Sequence, residues 1–374
     1  MSSLLEVPLT RRMHRLPVVR LVHGGAAERA WSWDLRDQWT REWWPQGITW
    51  AGERLLVSWY SRRGGGSRVS VVDLIGRRYA HVPLLTPDGE PLRVHAGGLA
   101  WDDGWLYVAA TARGFWTLHV DDLAFTAGRA ARSASDERRR DPATWPARGL
   151  HRPVLAGSDD PFRWSFLDLA PPGWSGSEER PPLPMVEVRA ERALPPVEVR
   201  AERALPPVEV RAERALPPVE VRAERASRPL LAGEYGRGGK STRLARLEIS
   251  HGQPVGHLHV LGEGPAGMQG VTTYGDDLLV STSAGPWRRG SLHLTGGSST
   301  ERSETDTDQG APGTLPELAG RAGRAGRRLA DELASGPLRK AAPIGVEDLT
   351  RDDLGGLLTV SEHPGRRAIV RLHG

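Results

Sequence analysis

A strand–turn–strand pattern that recurs along the chain limits its possible folds more than any other feature. Each copy has a small or polar start, a short apolar strand, a Gly/Asp turn, a stronger apolar strand, a loop and an alternating strand. The clearest copy runs from Gly97 to Leu123, and its Asp102-Asp103-Gly104 turn suits a tight hairpin. Frequent turns and period-2 alternation indicate an all-β fold.

Further copies run from Gln46 to Leu74, from Gln269 to Leu294 and from Gly345 to Leu372, and a fifth is split into Trp164–Leu169, Leu230–Tyr235 and Thr242–Leu247. Repeated units of this kind predict a β-propeller around a central channel. We expect five blades. Six is the alternative, because Trp31 to Trp44 or residues 124–163 would supply another. Trp31 to Leu35 is expected to close the last blade, and the 14 Trp to pack between blades.

Two segments interrupt the pattern and are predicted to be low-complexity insertions. The first, residues 170–228, carries tandem VEVRAERALPP units from Val186 to Pro218. A Pro-Pro pair in every unit forbids a continuous helix, so this insertion is predicted to be disordered. The second, residues 296–340, is polar and predicted to be disordered at first, while Leu315 to Leu338 favours a helix. The remaining domain is expected to span residues 31–374, after an N-terminal extension of residues 1–30.

Composition narrows the class of function. The chain has 50 Lys plus Arg against 46 Asp plus Glu, so it lacks the strong basic field of a nucleic-acid-binding protein. Absence of cysteine excludes disulfides and thiolate ligands. No run approaches the roughly 20 apolar residues of a membrane helix, and arginines interrupt the start of the chain where a signal peptide would be apolar. We therefore expect a cytoplasmic monomer without nucleic-acid or membrane partners.

One family resemblance supports the fold. The stretch Val94 to Asp121, together with Phe166–Asp168, Gly233–Tyr235, Met268–Val271 and Leu279–Ser283, resembles a family of uncharacterised actinobacterial β-propeller-like proteins. Members are often labelled as secreted or hypothetical proteins. The resemblance covers most of the chain outside the insertions and the first 30 residues. It implies a propeller and, since the family has no known activity, it implies no particular reaction or ligand.

The innermost strand of each propeller blade begins at the channel mouth, so equivalent polar positions of the five copies should meet there. These positions are occupied by Gln46, His95, Arg163, Gln269 and Glu347. Two amides, an imidazole, a guanidinium and a carboxylate suit a small polar ligand. With Asp348 they also offer oxygen and nitrogen ligands to a divalent cation. The alternative is that these groups bond only to one another and to channel water.

The ends of the second strands add a set of rim residues near the same mouth. They are Tyr60, Arg113, Glu234, Ser283, Glu362 and His363. Glu362 and His363 together offer an acid and an imidazole for proton transfer, although neighbouring residues of a strand face opposite ways and an ordinary turn is the favoured interpretation.

Two functions remain open from the sequence. The first is a non-catalytic propeller that binds a protein partner or a small polar ligand at the channel mouth. The rival is a metal-assisted hydrolase or lactonase in which Glu347 and His95 activate water. The chain contains neither a GxSxG nor an HExxH motif, so no catalytic residue is assigned.

Overall fold

Antiparallel β-strands make up most of the chain that the structure describes. The computed structural model describes residues 3–125, 143–157, 160–174, 227–237, 240–295 and 338–373. Both predicted insertions lie almost wholly outside these ranges, so their disorder stays a prediction. Within the described ranges, no helix is both long enough and apolar enough to cross a membrane.

The N-terminal segment forms short elements that pack on the rest of the chain. They are a 3-10 helix (Leu4–Glu6), β1 (Arg11–Arg12), β2 (His14–Leu16), α1 (Arg20–His23), β3 (Ala27–Ser32) and α2 (Leu35–Trp39). Asp34 caps α2 by accepting a hydrogen bond from the Asp37 amide at 2.9 Å. Leu4, Val7 and Met13 are buried in the core. The boundary predicted at residue 30 falls inside β3, so the propeller begins earlier than the sequence suggested.

In the described residues, the longer strands form five antiparallel blades in chain order. Blade 1 consists of β4 (Trp43–Ala51), β5 (Arg54–Ser61), β6 (Ser67–Asp73) and β7 (Arg78–Leu85). Blade 2 consists of β8 (Leu99–Asp102), β9 (Trp105–Ala109), β10 (Phe115–His119) and, after the short β11 (Ala124–Phe125), β12 (Ala143–His151). A short parallel pairing of β7 with β12 joins these two blades at their outer edges.

The other blades follow the same order from the inside outward. Blade 3 consists of β13 (Phe166–Leu169), β14 (Arg228–Gly233), β15 (Arg243–Ser250) and β16 (Gln253–Glu263). Blade 4 consists of β17 (Met268–Tyr274), β18 (Asp277–Thr282) and β19 (Ser291–Thr295). Blade 5 consists of β20 (Val346–Arg351), β21 (Leu357–Ser361) and β22 (Ala368–Leu372), with β3 as its fourth strand and β2 beyond it.

Hydrophobic clusters fill every interface between neighbouring blades. Because side chains alternate along a strand, Leu56 packs against blade 2 while Leu55 and Val57 pack against blade 5. Burial on both faces explains why β5 and β6 are almost continuously buried. Equivalent clusters lie between blades 2 and 3, 3 and 4, and 4 and 5. The interfaces therefore follow one another around a closed ring.

The inner strands β4, β8, β13, β17 and β20 surround the channel and contact one another in that order, and β20 contacts β4. Glycine allows their close approach. A Cβ atom on Gly98 would lie 2.5 Å from Phe166 Cα, and one on Gly270 would lie 2.7 Å from Asp348 Cα. A larger residue at either position would push the neighbouring inner strands apart.

An N-terminal strand closes the ring, but it begins earlier than the predicted Trp31 to Leu35, since β3 covers Ala27–Ser32 and Leu35 already belongs to α2. β3 pairs antiparallel with β22, with Trp31 opposite Ile369 and Ala30 opposite Val370. The segments considered for a sixth blade have other places in the described structure. Trp31 to Trp44 supplies the end of β3, α2 and the start of β4, and residues 143–151 form the outer strand of blade 2.

Candidate functional site

A polar cavity of about 350 Å³ lies where the first residues of the inner strands meet. It is lined by Gln46, His95, Gly97, Thr111, Arg163, Ser165, Tyr235, Gln269, Glu347 and Glu362. All five blades contribute to this lining. The structure thus brings together the five residues that the sequence placed at the channel mouth. That they bind a ligand stays a prediction.

Two carboxyl groups from blade 5 hydrogen-bond to each other at this cavity. Glu347 lies in β20 and Glu362 directly follows β21. Burial raises the pKa of both groups, and the nearby Glu362 and Asp348 carboxyls raise the pKa of Glu347 further. The hydrogen bond between them favours a proton on Glu347 and charge on Glu362. A hydrogen bond between two carboxyl groups requires one proton, so the bonded pair holds one proton and one negative charge.

Amide side chains from two other blades bond to this carboxyl pair. Gln46 Nε2 donates to Glu362 Oε2 at 3.1 Å, and Gln269 Nε2 donates to Glu347 Oε1 at a longer 3.5 Å. Blades 1, 4 and 5 are thus connected through polar side chains at the channel mouth. Each of these groups retains further donor or acceptor capacity, because an amide or carboxyl side chain makes more than one hydrogen bond.

His95 forms another part of the wall and packs on Tyr60 behind it. The ring centroids of His95 and Tyr60 lie 4.3 Å apart in a tilted arrangement. Burial lowers the pKa of His95, and the nearby Arg62 guanidinium lowers it further. His95 is therefore neutral near neutral pH and presents one donor and one acceptor nitrogen.

Blade 3 supplies a hydroxyl group and a cation to the cavity. Ser165 Oγ accepts a hydrogen bond from the Tyr235 amide at 3.0 Å, which fixes Tyr235 beside the inner strand. The Arg163 amide donates to Glu234 Oε1 at 2.8 Å, while the Arg163 side chain is exposed at the mouth. The cation is thus placed at the entrance rather than in the interior.

The six predicted rim residues separate into different environments. Glu362 lines the cavity and Tyr60 packs on His95, while the His363 Nδ1 atom lies 3.6 Å from Glu362 Oε1. Burial lowers the pKa of His363, and three nearby arginines lower it further, so the ring does not provide a stable positive charge for Glu362.

Three predicted rim residues do not line the cavity. Glu234 is buried and forms an ion pair with Arg243, whose Nε lies 2.8 Å from Oε2, so its carboxylate is already engaged. Ser283 accepts a hydrogen bond from Arg237 through its carbonyl oxygen, and Arg113 is exposed in a turn. Their placement at strand ends is right, but their side chains do not reach the axial cavity.

Asp348 lies next to Glu347 in sequence but has a different environment. Its Oδ2 atom accepts hydrogen bonds from the Ile48 amide at 3.1 Å and the Leu99 amide at 3.2 Å. These amides belong to the inner strands of blades 1 and 2, so one buried side chain connects three blades. Among the described residues, no group of three or more His, Cys, Asp or Glu side chains is arranged to hold a metal ion. The divalent-cation alternative thus has no ligand cluster in this part of the chain.

A second buried carboxyl group, Asp168, lies further along the channel on β13. Burial raises its pKa to about 7, although the hydroxyl of Thr272 and the charges of Arg351 and Arg228 favour its ionised form. In an unfolded chain the pKa of Asp is near 3.9. The folded state therefore binds more protons than the unfolded state between about pH 4 and pH 7.

We expect Asp168→Asn to remove this pH dependence. Ionisation of Asp168 destabilises the wild-type fold as the pH rises from about 4 to 7. Each pKa unit corresponds to about 1.4 kcal/mol, so the variant should gain up to about 4 kcal/mol relative to the wild type between pH 4 and pH 8. Urea unfolding at several pH values measures this difference. The control is Asp88→Asn, in an exposed turn. If the difference in free energy of unfolding between Asp168→Asn and the wild type does not change with pH, the raised pKa of Asp168 is contradicted.

Among solved structures, a protein of unknown function is similar to this chain at low sequence identity. No family model matches the chain, and no curated protein matches it. A crystal structure from Bacteroides thetaiotaomicron VPI-5482, described as a structural genomics protein of unknown function, is similar at a TM-score of 0.32 and 10% sequence identity. That similarity covers 98% of this chain and 76% of the other. The functional interpretation therefore depends on the geometry of this chain.

One polar network was missed by the sequence analysis. Trp59 Nε1 donates to Ser70 Oγ at 2.7 Å, Ser70 Oγ lies 2.9 Å from His81 Nδ1, and His81 Nε2 lies 2.8 Å from Asp37 Oδ2. The order Ser, His and Asp is that of a hydrolase triad. Ser70 and His81 are at most 1% exposed, so a substrate has no access to the hydroxyl group. We interpret the network as structural.

Charge in this network is concentrated on Asp37. Burial disfavours ionisation of Asp37, but neighbouring His81, Arg68 and Arg11 outweigh burial and hold its pKa far below the usual range. Burial lowers the pKa of His81 to about 4, and Arg68 opposes its protonation as well. Near neutral pH the imidazole is thus neutral, donating from Nε2 to Asp37 and accepting at Nδ1 from Ser70. No sequence spacing reveals this set, because it joins α2, β6 and β7.

Proposed function

We propose that this protein is a non-catalytic β-propeller that binds a small polar ligand in the axial cavity. The observation that carries the proposal is the lining: side chains from all five blades face one space of about 350 Å³. Small-molecule sites occupy roughly 300–1,000 Å³ and use a few convergent polar groups for orientation. A cavity of this size favours a small ligand over the protein partner that the sequence left open.

The arrangement is suited to recognition because its polar groups are already held in place. Gln46 and Gln269 are oriented by the carboxyl pair, and Ser165 by the Tyr235 amide. Binding therefore requires little new ordering of side chains, which reduces the entropic cost of association. A ligand would replace water at groups that have both donor and acceptor capacity.

Filling the cavity should abolish binding without unfolding the propeller. A panel of neutral sugars, amino acids, organic acids and phosphate esters is screened for the compound that most raises the melting temperature of the wild type. We expect Gln269→Trp to remove this stabilisation. Ligand binding at 100 times Kd stabilises a fold by about 2.7 kcal/mol, which differential scanning fluorimetry detects. The matched control is Gln253→Trp, at an exposed position of β16.

Equal stabilisation of the wild type, the Gln269→Trp variant and the control would place binding elsewhere. Each compound is tested at about 10 mM, which exceeds the Kd of about 1 mM of a weak binder. If no compound of the panel stabilises the wild type at this concentration, the binding function itself is contradicted.

A hydrolase is the second candidate, and the proton-sharing Glu347–Glu362 pair is the observation that favours it. Paired carboxyl groups with unequal environments supply an acid and a base in many enzymes. The metal-assisted form that the sequence suggested also needs a ligand cluster, and the described residues contain none. Hydrolysis of an ester or lactone that is lost in Glu347→Gln would favour this enzyme over the binding function.

A further inference from the structure

We propose that the ligand is a neutral, polyhydroxylated compound of carbohydrate type whose chain extends from the cavity across two exposed tryptophans, Trp39 and Trp287. This inference rests on the proposed binding function. It adds the chemical class of the ligand and a second contact region outside the cavity. The argument depends on the charge of the lining, on its hydrogen-bonding groups and on the tryptophans beside its mouth.

The charges that line the cavity are balanced. The hydrogen-bonded pair of Glu347 and Glu362 carries one negative charge, Arg163 at the mouth carries one positive charge, and His95 is neutral. A cationic ligand would meet Arg163 at the entrance. An anionic ligand would have to approach the Glu362 carboxylate. A neutral ligand meets neither repulsion.

The remaining lining groups match hydroxyl-rich ligands. Side chains of Gln46, Gln269, Thr111, Ser165 and Tyr235 provide amide and hydroxyl groups that between them donate and accept hydrogen bonds. A sugar hydroxyl also donates and accepts at once, so it pairs with either kind of partner. An apolar ligand would cover these groups without pairing with them, which costs about 1–3 kcal/mol for each group that it buries.

Two tryptophans from other parts of the chain contact one loop that borders the cavity. Residues 362–367 connect β21 to β22, and the first of them, Glu362, lines the cavity. Trp39 packs against Gly365, whose amide donates to the Gln38 carbonyl at 3.0 Å. The Arg366 guanidinium lies 5.1 Å from the centre of the Trp287 ring, and its Nη1 donates to the Pro286 carbonyl at 3.0 Å. Both tryptophans are therefore held at the loop that borders the cavity.

Both rings nevertheless expose most of their surface. Trp39 is 63% exposed and Trp287 is 77% exposed, whereas Trp33, Trp59 and Trp145 are fully buried between the blades. The expectation that tryptophans serve the core is thus wrong for these two. An indole has a flat apolar face and a polar N–H, and it suits a ligand that is apolar on one side and polar at its edge. The C–H face of a sugar ring has this character, and its hydroxyl groups remain in water.

Binding of neutral sugars to the full chain tests this inference by titration calorimetry. The probes are glucose, xylose and N-acetylglucosamine and the trisaccharides maltotriose, xylotriose and chitotriose. We expect at least one trisaccharide to bind, with its own monosaccharide binding more weakly. Trp287→Ala and Trp39→Ala should weaken the trisaccharide at least tenfold and change the monosaccharide by less than twofold. Leu354→Ala, at an exposed position in the β20–β21 turn, is the matched control and should change neither.

The outcomes separate the ligand class from the binding function. If only amino acids, organic acids or phosphate esters bind, and Gln269→Trp abolishes that binding, the carbohydrate class is wrong and the axial binding function stands. If sugars bind but both tryptophan variants retain wild-type affinity for the trisaccharide, the extended contact region is wrong. If no compound of either kind binds, both proposals fail.

Discussion

Replacement of Asp37 by asparagine is expected to lower the free energy of unfolding by about 3–5 kcal/mol, the usual result of removing one partner from a buried ion pair. Asp37 is 2% exposed and accepts hydrogen bonds from Arg68 at 2.9 Å, Tyr79 at 2.6 Å and His81 at 2.8 Å. Asparagine keeps the shape of the side chain but removes the buried negative charge that faces the Arg68 and Arg11 guanidinium groups.

The position of Asp37 explains why the effect should be large. The residue lies on α2, whereas Tyr79 and His81 lie on β7 and Arg68 on β6. Arg367 of blade 5 also donates from Nη1 to the Asp37 carbonyl at 2.6 Å. The helix that follows the closing strand is thus attached to blades 1 and 5 together. Loss of the Asp37 charge should therefore weaken the packing of α2 on the two blades between which the ring closes.

Urea unfolding followed by tryptophan fluorescence measures the effect of Asp37→Asn. The matched control is Asp73→Asn, which removes a partly exposed ion pair with Arg54 at 3.7 Å on blade 1. Surface pairs contribute about 0–1 kcal/mol, so the control should remain close to the wild type. Equal losses for the two variants would show that the Asp37 network has no special structural role.

The second large effect is expected from Ala30→Pro in the closing strand. Ala30 is fully buried and has paired strands on both sides, with Leu16 of β2 on one and Val370 of β22 on the other. Proline has no amide hydrogen and is tolerated in sheets almost only at edges. We expect a loss of at least about 3 kcal/mol, a large part of the total stability of about 5–15 kcal/mol that is typical of a domain.

A second proline variant controls for the residue itself. Leu35 is the first residue of α2, its side chain is 77% exposed, and the preceding Asp34 is already extended. Proline is favoured at this helix position because its missing amide hydrogen would have no partner within the helix. Leu35→Pro should therefore unfold at nearly the wild-type denaturant concentration. If Ala30→Pro does so as well, β3 does not hold the ring closed.

The strands and their order followed from the sequence because local patterns determine them. Alternating apolar residues and Gly/Asp turns such as Asp102-Asp103-Gly104 mark the hairpins, and the hairpins recur in five copies. An N-terminal closing strand was predicted at Trp31 to Leu35, but its bounds were not, because β3 begins at Ala27 and Leu35 starts α2. The boundary of the N-terminal extension was wrong because burial of Leu4, Val7 and Met13 depends on distant residues.

The axial set was predictable for a related reason. Gln46, Gln269 and Glu347 occupy equivalent places in their copies, and the symmetry of a propeller brings equivalent places together. The rim was less predictable, because the direction of a side chain at a strand end depends on loop contacts. Glu234 turns to Arg243, and only Glu362 reaches the cavity.

Networks formed across long sequence separations lay beyond the pattern analysis. Asp37 and His81 belong to different elements, and nothing in either segment alone indicates that they meet. The same holds for Asp348, which bonds to the amides of Ile48 and Leu99. Exposure of Trp39 and Trp287 was equally unpredictable, since composition alone favours burial of tryptophan.

The central claim is that the five inner strands build one ligand site. The proton NMR signals of the histidine rings test this claim most directly. His95 lines the cavity, whereas His293 lies on blade 4 and its Nε2 is 3.1 Å from Thr282 Oγ1. Signals are assigned by their loss in His95→Gln and His293→Gln. On titration with the most stabilising compound of the panel, we expect saturable shifts of the His95 ring protons and none for His293. Saturable shifts that leave His95 unchanged would place the ligand elsewhere and contradict the axial site.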